Sequence, residues 1–336
     1  MRKIINLIMV LFLTFGAIGC FVQIKKIDEG DNASSVSSGK TSISEEESAS
    51  ESESETPQAK TLGSLEVGSK VKVPHSVMGD IEFIVIDKNH EGYPENSVTL
   101  FTEKIISVRC FDAKEPNNSD TKAQKYGNVY YAQSNIDQWL NSAGAAGQWY
   151  SAQHSSDQSP TSEYVQGNPY ADDSGFLFGF SSSFVSALVV TTIDNIIFNY
   201  TDLVVDRTEQ ISRKVFLPSY TEMRGYAQKG TMVGKQFDYF KSNSMSTVLS
   251  DWAWNNCATN LRPSSATSTV LYWYRTPSTP SIEGEIPCPG VAYPNSSGEM
   301  QPQVSDIGVR PLCNLSSDTK VSETPDENGY YSFVFN

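Results

Sequence analysis

The chain has 336 residues, with 25 Lys plus Arg against 39 Asp plus Glu and a formal net charge of −14. An acidic balance of this size excludes partners that need a basic face, so no nucleic acid is expected to bind. The chain shows no repeat of fixed period, and one apolar run at the start is its only membrane signal.

That run is a leader. Arg2 and Lys3 give a positive end, residues 4–18 are almost wholly apolar, and Ala17-Ile18-Gly19-Cys20 follows. A small residue before a cysteine marks a lipoprotein cleavage site, with Cys20 as the lipid-carrying new N-terminus. The run is short for a spanning helix. Residues 1–20 therefore read as a signal peptide, and attached acyl chains would hold the mature protein on a bacterial cell membrane or outer membrane. Residues 21–60 read as a tether. From 28 onward they are rich in Ser and Glu, as in Ser50-Glu51-Ser52-Glu53-Ser54-Glu55. Such a segment has too little apolar surface to offset its ordering entropy, and its like charges extend it.

Residues 61–336 are expected to form one α+β domain, irregular and loop-rich. Leu65 to Val73 and Ile81 to Ile86 read as strands turning at Met78-Gly79-Asp80. Val98 to Phe101 and Ile105 to Cys110 resemble a second hairpin. Ser134, with Asp137 three residues on, caps a helix whose Ile136, Trp139 and Leu140 share one face. Phe184 to Val189 reads as a second helix, and Ser219 with Glu222 as the capping box of a third. Val189 to Ile193, Lys214 to Leu217 and Tyr330 to Phe335 are strand-like.

The stretch Tyr272-Trp273-Tyr274-Arg275-Thr276-Pro277 organises the last third. Alternation puts Tyr272 and Tyr274 on one face, with Trp273 and Arg275 on the other. Pro277, lacking an N–H, is expected to end the ladder. Gly308-Val309-Arg310-Pro311 repeats the pattern of an arginine just before a proline, so the two runs are expected to be neighbours in one sheet. Both arginines then either tie the fold together or join Trp273 in a pocket facing a ligand; Trp273, Arg275 and Arg310 are the candidate ligand-binding residues.

Other chemistry is sparse. His75, His90 and His154 are far apart in sequence and show no metal-ligand spacing. No phosphate loop, dinucleotide fingerprint or nucleophile elbow occurs. No catalytic residue, cofactor or metal is expected. Beyond Cys20, four cysteines allow three connectivities; Cys288 and Cys313 are the candidate disulfide, with buried free thiols as the rival. Tyr126, Tyr130, Tyr131, Trp252 and Trp254 sit among Asn, Gln and Ser, as aromatics do in sugar or peptide recognition.

The Trp273–Pro277 and Gly308–Leu315 stretches resemble the WLRTP and GVRPALNL signatures of an uncharacterised family of bacterial exported and phage-associated domains. That family is distantly similar to the formylglycine-generating-enzyme and C-type-lectin-like fold. Phe111-Asp112-Ala113-Lys114-Glu115-Pro116-Asn117-Asn118, Ser134-Asn135-Ile136-Asp137-Gln138-Trp139-Leu140-Asn141 and Gly147-Gln148-Trp149-Tyr150-Ser151-Ala152-Gln153-His154 also match. The resemblance implies a C-type-lectin-like layout of mixed short strands with two or three helices. It implies an alanine where Cys110 and Cys313 stand, which favours free thiols. Glu115-Pro116-Asn117 spells the calcium triplet of sugar-binding lectins, but it precedes the first helix and lacks the Trp-Asn-Asp partner. The expected function is a lipid-anchored surface protein with a non-catalytic binding domain for a glycan or a protein. The alternative is an extracellular enzyme acting on cell-wall or glycan material, which needs paired carboxylates across a cleft.

Overall fold

The computed structural model describes residues 60–199, 204–227, 232–278, 288–292 and 297–335. The leader, Cys20 and the tether up to residue 59 lie outside the described residues. Lys60–Thr61 pairs with Lys320–Val321, so the fold takes up the last residue assigned to the tether. Glu55–Asn336 forms one compact unit.

The main sheet runs Tyr330–Ser332, Lys70–His75, Gly79–Lys88, Ser97–Thr102, Leu312–Ser316 and Leu188–Val189, with Val215–Phe216 also paired to Leu312–Ser316. Its central strand Ser97–Thr102 is buried along its whole length, and Val98, Leu100 and Phe101 are fully buried. A second sheet runs Ser297–Glu299, Cys288–Ala292, Tyr272–Ser278, Gly308–Val309 and Ser107–Val108. Tyr272 pairs with Gly308 in parallel, so the two arginine motifs are neighbours in one sheet. Pro277 does not end its ladder: a register shift after Trp273 lets Pro277 pair with Pro289. The shift re-phases the hydrogen bonds, so the missing N–H falls at an irregularity.

The expected hairpin between Val98–Phe101 and Ile105–Cys110 is not formed. The chain leaves the main sheet after Thr102, and Ser107–Val108 joins the second sheet against Gly308–Val309. Gly308 to Ser316 crosses between the same two sheets alongside it.

Five short α-helices lie among the described residues. Ser134 caps Asn135–Leu140, and its side chain accepts the Asp137 N–H. Ser219 caps Tyr220–Arg224 through a complete capping box with Glu222. Ser181 caps Ser182–Ala187. Thr121–Tyr126 and Asp251–Asn256, capped by Asp120 and Ser250, were not foreseen. Neither was the hairpin Thr191–Asn199 with Val204–Arg213. Trp139 is wholly buried, as its place on the apolar helix face requires. The architecture is α+β, with short helices and loops around several sheets.

Candidate functional site

Trp273, Arg275 and Arg310 are 0%, 1% and 3% exposed, and their donors are taken by the protein itself. Trp273 Nε1 donates to the Arg109 carbonyl at 2.8 Å. Arg275 grips Glu222 with both terminal nitrogens at 2.6 Å and donates to the carbonyls of Leu217 and Asp194. Arg310 donates to the carbonyls of Thr102, Met245 and Glu103. None of the three lines a cavity described below. The ligand-facing pocket expected of them is replaced by a structural role, because their hydrogen-bonding capacity is spent on crossing strands. Arg310 serves the Thr102 and Glu103 carbonyls where the chain leaves the main sheet, and the Thr247 hydroxyl also donates to Glu103.

The candidate disulfide is likewise not formed at its Cys313 end. Cys110, Cys257 and Cys313 are free and buried. Cys313 sits inside the main sheet between Leu100 and Val215, whereas Cys288 pairs with Ser278 in the other sheet. Burial pushes the Cys313 thiol far above its usual range, which makes it inert.

A cavity of about 460 Å³ opens elsewhere, lined by Val77, Met78, Arg109, Ala145, Ala146, Asp172, Asp173, Ser174, Phe178 and Trp252. Three elements build it. The first is the tight turn between Lys70–His75 and Gly79–Lys88, which Gly79 completes with a positive φ of 76°. It presents Val77 at 42% exposure. The second is the 3₁₀ turn Phe176–Gly179, which buries Phe176 and Leu177 and leaves Phe178 45% exposed. The third is the helix Asp251–Asn256, which buries Ala253 and turns the half-buried Trp252 to the cavity.

His75 clamps the first two elements together. Its Nδ1 accepts the N–H groups of Val77 and Met78 at 3.3 and 3.0 Å, so Nε2 carries the proton and donates to the Phe176 carbonyl at 3.0 Å. Burial lowers its pKa, against the raising effect of the Phe176 carbonyl, and keeps the ring neutral for this dual role. A Cβ at residue 179 would run into the His75 ring, so only glycine fits there.

Arg109 forms the polar floor. Its guanidinium lies between Trp139 and Tyr170, 4.1 and 4.6 Å from the ring centres, and donates to Asp173 at 2.8 Å. The loop carrying Asp172 to Ser174 is fixed by Trp139 Nε1, which donates to the Ser174 carbonyl at 2.8 Å. The cavity thus joins an apolar wall containing two aromatics to a rim with two carboxylates.

A second cavity, of about 420 Å³, is lined by Asp137, Asn141, Trp149, Gln153, Arg213 and Lys214 among others. Its strongest polar groups are already spent on each other, since Arg213 holds Asp137 at 2.7 Å. Of the aromatics singled out in the sequence, Trp252 alone lines the larger cavity. Tyr131 is fully buried, Tyr130 bonds Glu209, and Trp254 packs under Arg262.

A family model described as a domain of unknown function, DUF6273, matches residues 96–317, more than half of the chain. The chain belongs to the DUF6273 family. The DUF6273 match contains the Arg109 floor, the Asp172–Ser174 rim, Phe178 and Trp252, whereas the Val77–Met78 turn precedes it. No curated protein matches the chain, and no solved structure does.

Proposed function

We propose that this DUF6273 protein is an exported, lipid-anchored binding protein whose domain takes a saccharide in the cavity floored by Arg109. One observation carries the reading: exposed Phe178 and half-buried Trp252 share that cavity with Asp172 and Asp173. A sugar ring has a C–H face that lies on aromatic rings and hydroxyls that donate to carboxylates, so it uses both sides of such a site. A glycan hydrolase is less well supported. It needs a carboxylic acid free to protonate the leaving oxygen, and Asp173 Oδ2 is already engaged by Arg109. The loop-rich mixed sheets with few short helices support a C-type-lectin-like domain, the layout implied by the sequence resemblance.

The test is a glycan array probed with residues 55–336, followed by calorimetry on the best saccharide. Phe178→Ala and Trp252→Ala are each expected to weaken binding about tenfold or more, the effect of losing 1.4 kcal/mol or more of contact. Phe178 is exposed, so its variant should melt close to the parent; Trp252 packs against the core, so its variant is compared per folded molecule. Binding of a basic peptide instead of any saccharide, or saccharide binding indifferent to both variants, contradicts the proposal.

The anchoring part of the proposal rests on the leader and its Ala17-Ile18-Gly19-Cys20 box. Cys20→Ser should leave the precursor uncleaved or move the protein out of the detergent phase. Unchanged processing and unchanged partitioning would remove the lipid from the account.

A further inference from the structure

Three sequence stretches singled out separately converge on one buried cluster outside the lining of the Arg109 cavity. Glu115 comes from the first, Asn135 from the second and His154 from the third; Asp157 follows three residues after His154. One ligand atom each of Glu115, His154 and Asp157 lies within 4.8 Å of the others. Glu115 is fully buried, yet its Oε1 has no hydrogen-bond partner. It points at His154 Nε2, 3.2 Å away, which also lacks a hydrogen bond.

That separation is informative. Two ligands at about 2.0–2.1 Å from one tetrahedral ion stand roughly 3.3 Å apart, so this directly contacting pair already has the spacing that a shared ion requires. The remaining lone pairs are held from outside. Glu115 Oε2 accepts from Asn118 Nδ2, and Asp157 Oδ2 accepts the Gln153 N–H at 2.8 Å. Asn135 Nδ2 lies 3.4 Å from Asp157 Oδ1, and its own Oδ1 is fixed by the Ala113 N–H at 2.9 Å. Outer partners of this kind orient ligating carboxylates. The charge balance agrees. Asp112, also fully buried, adds a third carboxylate nearby, and among the described residues His154 is the cationic side chain paired with the cluster.

We infer that Glu115, His154 and Asp157 bind a divalent first-row transition cation such as Zn²⁺. One imidazole nitrogen with two carboxylates and no sulfur suits this class better than calcium, which takes oxygen ligands alone. His154, 22% exposed, marks the side from which the ion enters and where water completes its coordination. The ion would pin the Gln153–Asp157 loop to the Phe111–Asn118 stretch, which the fold otherwise joins through Asn135 and through the Ser156 hydroxyl, which donates to the Asn117 carbonyl at 3.1 Å.

The test uses the full chain, stripped with a chelator and titrated with ZnCl₂ by calorimetry, with Co²⁺ absorption as a readout of nitrogen and oxygen ligation. One equivalent of Zn²⁺ is expected to bind and to raise the melting temperature. Glu115→Gln keeps the shape of the side chain, and His154→Asn changes a partly exposed one, so both should fold. Each should weaken Zn²⁺ by roughly 100-fold or more, since outer partners alone cost 10–100-fold. Millimolar Ca²⁺ should not compete. Absence of saturable Zn²⁺ binding, equal binding by both variants through the acidic tether, or preference for Ca²⁺ overturns the assignment.

Discussion

Arg275→Ala is expected to destabilise the domain by roughly 3–5 kcal/mol, the cost of stripping one partner from a buried ion pair, and to lower the melting temperature by on the order of 10 °C. Arg275 and Glu222 are 1% and 0% exposed, so the carboxylate left behind is shut off from bulk solvent. Glu222 is also the N3 residue of the Tyr220–Arg224 capping box and accepts from Tyr93 Oη at 2.8 Å. Removing Arg275 therefore leaves an unpaired carboxylate at the junction of a helix, a loop and the Lys214 to Pro218 segment. Arg275→Met combined with Glu222→Gln should recover part of the loss, because neither residue is then a lone charge.

The same pair predicts acid sensitivity. Burial opposes the Glu222 charge, but Arg275 outweighs it and holds the carboxyl below its ordinary value of 4.5. The unfolded chain thus takes up this proton at higher pH than the folded chain does. The stability supplied by the pair is complete above that ordinary value and drains away as pH falls through the folded one. A melting temperature within 2 °C of the parent for Arg275→Ala would contradict the structural assignment.

Arg310→Ala has the second large effect, about 2–4 kcal/mol, because three buried carbonyls lose a charged donor; Glu103 keeps the Thr247 hydroxyl and Met245 keeps the Tyr272 hydroxyl. Thr102, Glu103 and Met245 offer those carbonyls at 2.7, 3.0 and 3.2 Å, and the guanidinium also lies 4.1 Å from the Phe101 ring centre. Arg310→Lys should rescue little, since a single ammonium cannot reproduce a planar fork that serves three acceptors and stacks on a ring. Denaturant unfolding checks both variants. Saccharide binding per folded molecule should be unchanged in each, because neither arginine lines the cavity. A loss of binding without a loss of stability would restore the ligand-facing role.

Features written in local chemistry were legible in the sequence. Ser134 with Asp137 and Ser219 with Glu222 placed two helix starts, because a cap needs only residues three apart. The repeated arginine-before-proline pattern placed Tyr272–Ser278 beside Gly308–Val309. Features set by distant partners were not legible. Ile105 to Cys110 has strand residues, yet its partner is Gly308–Val309 some 200 residues later, not the preceding strand. The helices Thr121–Tyr126 and Asp251–Asn256 are six residues each, too short to display a helical period. Val189 to Ile193 read as a strand, but Asp194 and Asn195 hid its continuation to Asn199 by interrupting the apolar run.

The candidate site divides in the same way. Trp252 stood out by its polar neighbours, but Val77 and Phe178 are apolar residues that sequence alone assigns to a core. Their exposure follows from a tight turn and a 3₁₀ turn held by His75, a contact spanning 101 residues. Glu115 and His154 each belonged to a recognisable stretch. Nothing in either stretch announces that their side chains meet.

Ligand is expected in the cavity between the Val77–Met78 turn, the Phe176–Gly179 turn and Trp252. Hydrogen exchange of residues 55–336, with and without saturating saccharide, tests it most directly. Slowed exchange is expected at residues 76–80, 172–180 and 250–254, with the Tyr272–Thr276 and Gly308–Arg310 amides unchanged. Protection confined to the Arg275 and Arg310 strands, or to the Asp137 and Arg213 cavity, would contradict it.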